Sequence, residues 1–195
     1  GSPIQFEIGD VDGNGLPDIA WRLSTGGMTF LFQTAPRTFT VVIPSPAIGP
    51  SPVNLLGEFF QFADFNGDGK LDVVWSGTDN ITVYINANTT GRTFLAGVSL
   101  ARPAFATDGM LVHVADANGD GIEDIIASGN GAVAVYLSNG DGTFQPFEEG
   151  FVNYPISDVA FADIDGDGSL DMVSGQRFTV RVHFSKPSAS GNFVG

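Results

Sequence analysis

The side chains best placed to do chemistry in this chain are carboxylates, and their spacing suits the holding of an ion. Four loops read Asp10-Val-Asp-Gly-Asn-Gly-Leu-Pro-Asp18, Asp64-Phe-Asn-Gly-Asp-Gly-Lys-Leu-Asp72, Asp116-Ala-Asn-Gly-Asp-Gly-Ile-Glu-Asp124 and Asp163-Ile-Asp-Gly-Asp-Gly-Ser-Leu-Asp171. Oxygen-bearing side chains stand at loop positions 1, 3, 5 and 9. They are Asp10, Asp12, Asn14 and Asp18, then Asp64, Asn66, Asp68 and Asp72, then Asp116, Asn118, Asp120 and Asp124, then Asp163, Asp165, Asp167 and Asp171. Position 7 (Leu16, Lys70, Ile122, Ser169) offers a backbone carbonyl. Alternating carboxylates converge on one point only if the backbone curls tightly, and the glycines at positions 4 and 6 allow that curl. Calcium takes six to eight oxygens at flexible geometry, so four side chains, one carbonyl and water fill its shell. About four calcium ions are expected.

The formal charge of −14 argues against nucleic acid or an anionic membrane as partner. Thirteen loop aspartates supply most of it, three in each of the first three loops and four in the last. Four divalent ions would add +8 and leave about −6, an ordinary charge for a soluble domain. Without metal each loop crowds like charges together, so folding and calcium binding are expected to be coupled. There is no Cys, which excludes disulfides and thiolate metal sites. No apolar run approaches the ~18 residues of a membrane span, so no membrane insertion is expected. Gly1-Ser2 reads as a cloning scar.

The elements that must position these loops repeat with them. Before each loop lies a short alternating stretch ending in a small residue: Phe6–Gly9, Phe60–Ala63, Val112–Ala115 and Val159–Ala162. After each comes an apolar run, at Ile19–Trp21, Val73–Trp75, Ile125–Ala127 and Met172–Ser174. A third segment has period two and one wholly apolar face: Met28–Phe32, Ile81–Ile85, Val133–Leu137 and Val180–Phe184. A fourth strand is expected to begin at Phe39, Phe94, Phe144 and Phe193, which follow the first Asp of their loops by 29, 30, 28 and 30 residues. Four short strands per unit of ~50 residues describe propeller blades. The expectation is an all-β propeller of four-stranded antiparallel blades, one region over 3–195, with repeats at about 3–53, 54–105, 106–153 and 154–195. No segment has a 3.6-residue period, so little helix is expected. EF-hands are excluded: they need flanking helices and a Glu at position 12, where this chain has Trp21, Trp75, Ala127 and Ser174.

Loops and strands together resemble the FG-GAP or VCBS repeat family, the blades of integrin α-subunit propellers and integrin-like lectins. The segments Ala115–Ile126 and Val135–Phe144 carry the resemblance most closely, and it covers nearly the whole chain. It implies that each loop joins the first two strands of a blade and binds calcium. Family propellers commonly have seven or eight blades, and four repeats are present here. A closed four-bladed ring, a fragment of a longer propeller and a ring completed by two chains all stay open, with self-association through exposed blade faces among the expectations.

Other candidates carry less. His113 and His183 align with different chemistry in sister repeats and read as structural. No nucleophile-base-acid set and no phosphate loop is suggested, so no enzyme activity is expected. Trp21, Trp75, Tyr84 and Tyr136 read as blade packing or, on analogy with fungal integrin-like lectins, as sugar-stacking aromatics between blades. Ile43–Val53 is a Pro-rich connector expected to bridge blades over the surface. Asn80-Ile-Thr82 and Asn88-Thr-Thr90 match the N-glycosylation pattern. The functional expectation is a secreted or cell-surface, calcium-binding recognition or adhesion module with a glycan or protein ligand, including a carbohydrate-binding lectin. The alternative is a non-catalytic scaffold or protein-interaction segment of a larger adhesin, toxin or polysaccharide-active enzyme.

Overall fold

A computed structural model describes residues 3–23, 27–43, 48, 59–77, 80–87, 93–105, 110–151, 158–176 and 179–184. Most of the Pro-rich connector, the triplet at 88–90 and Phe193 lie outside these residues. Among the described residues every regular element is a strand. The first sheet is a meander of β1 (Pro3–Gly9), β2 (Asp18–Leu23), β3 (Met28–Ala35) and β4 (Thr38–Val42). The second runs through β5 (Phe59–Ala63), β6 (Asp72–Ser76), β7 (Ile81–Tyr84) and β8 (Val98–Leu100). The third holds β9 (Leu111–Ala115), β10 (Asp124–Gly129), β11 (Ala132–Tyr136) and β12 (Glu148–Phe151). The fourth has β13 (Asp158–Ala162), β14 (Asp171–Gln176) and β15 (Thr179–His183). All neighbouring strands are antiparallel.

Local chemistry sets these hairpins. The β10–β11 turn is Asn130-Gly131 with φ of 45° and 80°, the primed geometry that matches strand twist. Each Asp-rich loop joins the first and second strands of its sheet. The last Asp of each loop opens the second strand and pairs with the small residue that closes the first: Gly9 with Asp18, Ala63 with Asp72, Ala115 with Asp124, Ala162 with Asp171. At Gly9 the reason for smallness is visible, since a Cβ there would run into the Leu71 side chain.

The chain divides into two compact units, Gly1–Leu100 and Ala101–Gly195, each holding two sheets. In the first unit one face of sheet one (Ala20, Met28, Phe30, Phe32) packs on Phe60, Val73 and Trp75 of sheet two. The Phe30 ring stacks on Phe62 and Phe94, with centroids 6.3 and 5.7 Å away. Each such side chain contributes ~1.5–3 kcal/mol when fully buried. Polar ties complete the seam: the Gln5 Nε2 donates to the Phe60 carbonyl (2.7 Å) while Gln5 Oε1 accepts from the Phe60 N–H (3.1 Å). In the second unit Ile126, Val133, Val135 and Leu137 of sheet three meet Val159 and Met172 of sheet four.

Two expectations need correction. The outer strand does not begin at Phe94 or Phe144. Those residues form isolated bridges to Asn86 and Ser138, and β8 and β12 start at Val98 and Glu148. In sheet one the phenylalanine, Phe39, does lie within its outer strand. Of the Pro-rich connector, Ile43 is exposed, but Ile48 is buried in the core and its carbonyl accepts the Met28 N–H at 3.1 Å, so at that point the connector does not run over the surface.

Candidate metal centres

Each loop is built by its own side chains. The carboxylate at position 1 accepts backbone N–H groups from positions 5 and 6: Asp10 from Asn14 and Gly15 (3.0 and 2.7 Å), Asp64 from Asp68 and Gly69 (3.1 and 2.7 Å). Asp116 and Asp163 do the same and also take the N–H of position 4. The position 3 oxygen accepts from position 5, and the position 5 oxygen from position 7, in all four loops. These local bonds offer the backbone an alternative to strand pairing and curl it around the side-chain oxygens. The curl requires φ of 69° to 87° at the glycines of positions 4 and 6.

Position 9 is different in kind. Asp18, Asp72, Asp124 and Asp171 are completely buried. One oxygen of each accepts the N–H of loop position 2: Val11 at 2.9 Å, Phe65 at 3.0 Å, Ala117 at 2.8 Å and Ile164 at 2.9 Å. The other oxygen accepts from the far end of the third strand region in three sheets, from Gln33 (2.8 Å), Asn86 (2.7 Å) and Ser138 (2.8 Å). This aspartate therefore staples its loop to the sheet. Burial pushes the carboxyls of Asp72 and Asp124 up to about 6, against the lowering effect of those backbone bonds, with the negative loop neighbours adding to the rise. Asp18 is raised for the same leading reason.

The loops differ in how their carboxylates gather. Oxygens of Asp10, Asp12 and Asp18 lie within 4.8 Å of one another, and so do those of Asp163, Asp165 and Asp171. Loops two and three carry the amide oxygens of Asn66 and Asn118 at position 3 instead. In loop two the Lys70 ammonium sits 3.1 Å from Asp68, a partly exposed pair that water screens. Four hard oxygen side chains per loop, gathered and partly dehydrated, are a donor set suited to calcium or a similar hard cation. The residues at position 7 (Leu16, Lys70, Ile122, Ser169) lie on the return limb of the loop, two residues before the buried aspartate.

The aromatic and histidine candidates fall in different places. Trp75 is buried, stacked on Phe60 (6.3 Å), with the Arg22 guanidinium carbon 6.0 Å above its ring. Tyr136 is buried, and its hydroxyl donates to the Ala101 carbonyl at 2.6 Å. Neither presents a free face. Trp21 and Tyr84 are half-buried, Trp21 in an apolar concavity on sheet one. His113 meets the Phe161 ring edge-on at 5.5 Å, and burial lowers its pKa against the pull of Asp158. His183 Nε2 lies 3.0 Å from the Ser174 hydroxyl, both buried within sheet four. Sequence reasoning missed Gln33, Asn86 and Ser138, because the group they give to the site is a backbone N–H, which no residue type advertises. A weak signal exists in their spacing, 14 or 15 residues after the position 9 aspartate.

The all-β meanders and loop placement are of propeller type. A family model, FG-GAP-like repeat, matches three times, over residues 10–75, 64–127 and 116–174. The chain belongs to the FG-GAP-like repeat family. No curated protein matches the sequence. Among solved structures it is similar to an Agrocybe aegerita lectin that recognises non-reducing terminal N-acetylglucosamine. The TM-score is 0.72 at 23% identity over 97% of this chain and 50% of the lectin. It is also similar to a chain of the Photorhabdus luminescens Tc holotoxin pore, with a TM-score of 0.64 at 18% identity over 97% of this chain and 9% of that one. This chain therefore spans half or less of either relative, and the likeness shows fold alone.

Proposed function

We propose that the chain is a calcium-stabilised, non-catalytic recognition module that works outside the cell, with a glycan as its ligand. The observation that carries the metal part is the fourfold recurrence of one donor arrangement, with a buried aspartate in each loop tied to its sheet. A bound cation offsets both the repulsion among the loop carboxylates and the dehydration of position 9. Millimolar extracellular calcium suits loops of this class. Carboxylates that serve as metal ligands stay ionised and are poor proton carriers, which supports recognition over catalysis.

The glycan reading draws support from the propeller-type lectin of similar fold, and from Trp21 and Tyr84, aromatics that stay half-buried where Trp75 and Tyr136 are enclosed. A protein ligand is the second reading, favoured by one specific feature: the concavity beside Trp21 is lined wholly by Phe6, Ile8, Ile19, Trp21 and Leu31. Sugar pockets need polar groups to bind hydroxyls, and this lining has none. A glycan array probed with folded protein, in calcium and in chelator, separates the two. Calcium-dependent binding to a related set of sugars is the expected result. A blank array would overturn the glycan assignment and leave the protein reading.

A further inference from the structure

Within each unit one kind of contact holds two sheets together. A face of the earlier sheet, made by its second and third strands, covers the opposite face of the later sheet, made by its first two strands. In the first unit Ala20, Met28, Phe30 and Phe32 cover Phe60, Val73 and Trp75. In the second, Ile126, Val133, Val135 and Leu137 cover Val159 and Met172. Strand register makes the positions equivalent: Phe30 pairs with Ala20 as Val135 pairs with Ile126. The same seam is thus used twice, with the same polarity.

Both halves of that seam also stand uncovered. On sheet one, Phe6 pairs with Trp21 and Ile8 with Ile19, the positions of Phe60 with Trp75 and Phe62 with Val73 on sheet two. Phe60 is fully buried, whereas Phe6 and Ile8 are 63% and 69% exposed and rim a concavity of about 410 Å³. On sheet four, Val173 pairs with Val182 as Ala20 pairs with Phe30. Val180, Val182 and Phe184 stand where Met28, Phe30 and Phe32 are buried, yet Val180 is 72% exposed and the other two are over 40% exposed. A soluble protein rarely leaves contiguous apolar surface of this kind open.

We propose that these two faces bind each other between copies: sheet four of one molecule packs on the Phe6 face of sheet one of a second copy. The occupant is a second copy because this chain itself carries the complementary face, in the register and polarity already used twice inside it. The contact is heterologous, so it closes a ring or extends a chain of copies according to the rotation it imposes. Trp21, half-buried at the Phe6 face, becomes covered on association, while the already buried Trp75 does not change.

The test is sedimentation of the calcium-loaded chain from low to high micromolar concentration, with tryptophan emission followed alongside. The expected result is a dimer or larger species and a blue shift that grows with concentration. Ile8→Asp and Val182→Asp each place a carboxylate in the seam and weaken association by roughly a hundredfold or more. Both positions are exposed, so far-UV circular dichroism stays as in the parent; Ile8→Ser and Val182→Ser provide a milder second pair. Mixing Ile8→Asp with Val182→Asp restores a one-to-one complex, since each retains one intact face. A parent chain that stays monomeric throughout, a Val182→Asp chain that self-associates undiminished, or a mixture that does not pair would each overturn the proposal.

Discussion

Asp72 and its counterparts staple loop to sheet and, in our proposal, also hold a cation, and these two roles respond to pH with opposite signs. In the metal-free protein, burial raises the Asp72 and Asp124 carboxyls from the ordinary carboxylate range to about 6. The native state then binds protons that the unfolded state has released. Their contribution is fully present below about pH 4 and is lost as pH rises through about 6. Melts in chelator should therefore show these groups lowering stability between those values. A cation needs the ionised form, so calcium affinity should fall as pH drops below about 6, which calorimetric titration at several pH values measures. The staple and ligand roles separate by mutation. Asp72→Asn leaves a backbone N–H facing an amide NH₂ and should cost ~1–3 kcal/mol in urea unfolding even in chelator. Asp12→Asn, at the more open end of loop one, should leave chelated stability unchanged within ~0.5 kcal/mol and weaken calcium binding only. The loops and the convergence of their oxygen-bearing side chains were legible from residue type and interval. The division between the buried position 9 and the more open positions before it was not, because Asp10 and Asp18 look alike in sequence and differ only in what packs around them.

At the scale of the element, the loops and inner strands were readable because two independent signals coincide there: a period-two apolar pattern and a fixed Asp-Gly frame. The outer strands carry neither. After Phe94 comes Leu95-Ala-Gly97, and Gly97 crosses so close to Thr82 and Tyr84 that no larger side chain fits without displacing them. After Phe144 comes Gln145-Pro146, and proline does not donate to a ladder. The phenylalanines anchor the chain through a single bridge, and pairing resumes only at Val98 and Glu148. The loop frame itself yields a backbone prediction. Gly15 has φ of 82° and open space around an added Cβ, so Gly15→Ala tests conformation without collision. Left-handed backbone at a residue with a Cβ costs ~1–2 kcal/mol, which should appear as lower stability in chelator and weaker calcium binding at loop one.

The molecule as a whole is strongly acidic, and its charge is explained more by its loops than by its surface at large. Propeller class and repeat family follow from the sequence because repetition multiplies a weak signal four times. The ligand does not follow, because the features that repeat are those that build blades, and a binding surface is where repeats diverge. The aromatic candidates illustrate this: Trp21 and Trp75 hold the same repeat position, yet one is half-covered and the other wholly buried. If the four loops are calcium sites coupled to folding, one site at ~100 times its dissociation constant adds ~2.7 kcal/mol. The most direct measurement is scanning calorimetry of the chain in millimolar calcium and in chelator, paired with a calcium titration that counts ions. The expected result is about four ions per chain and a transition moved clearly upward by calcium. Coincident transitions, with no ions taken up, would contradict it.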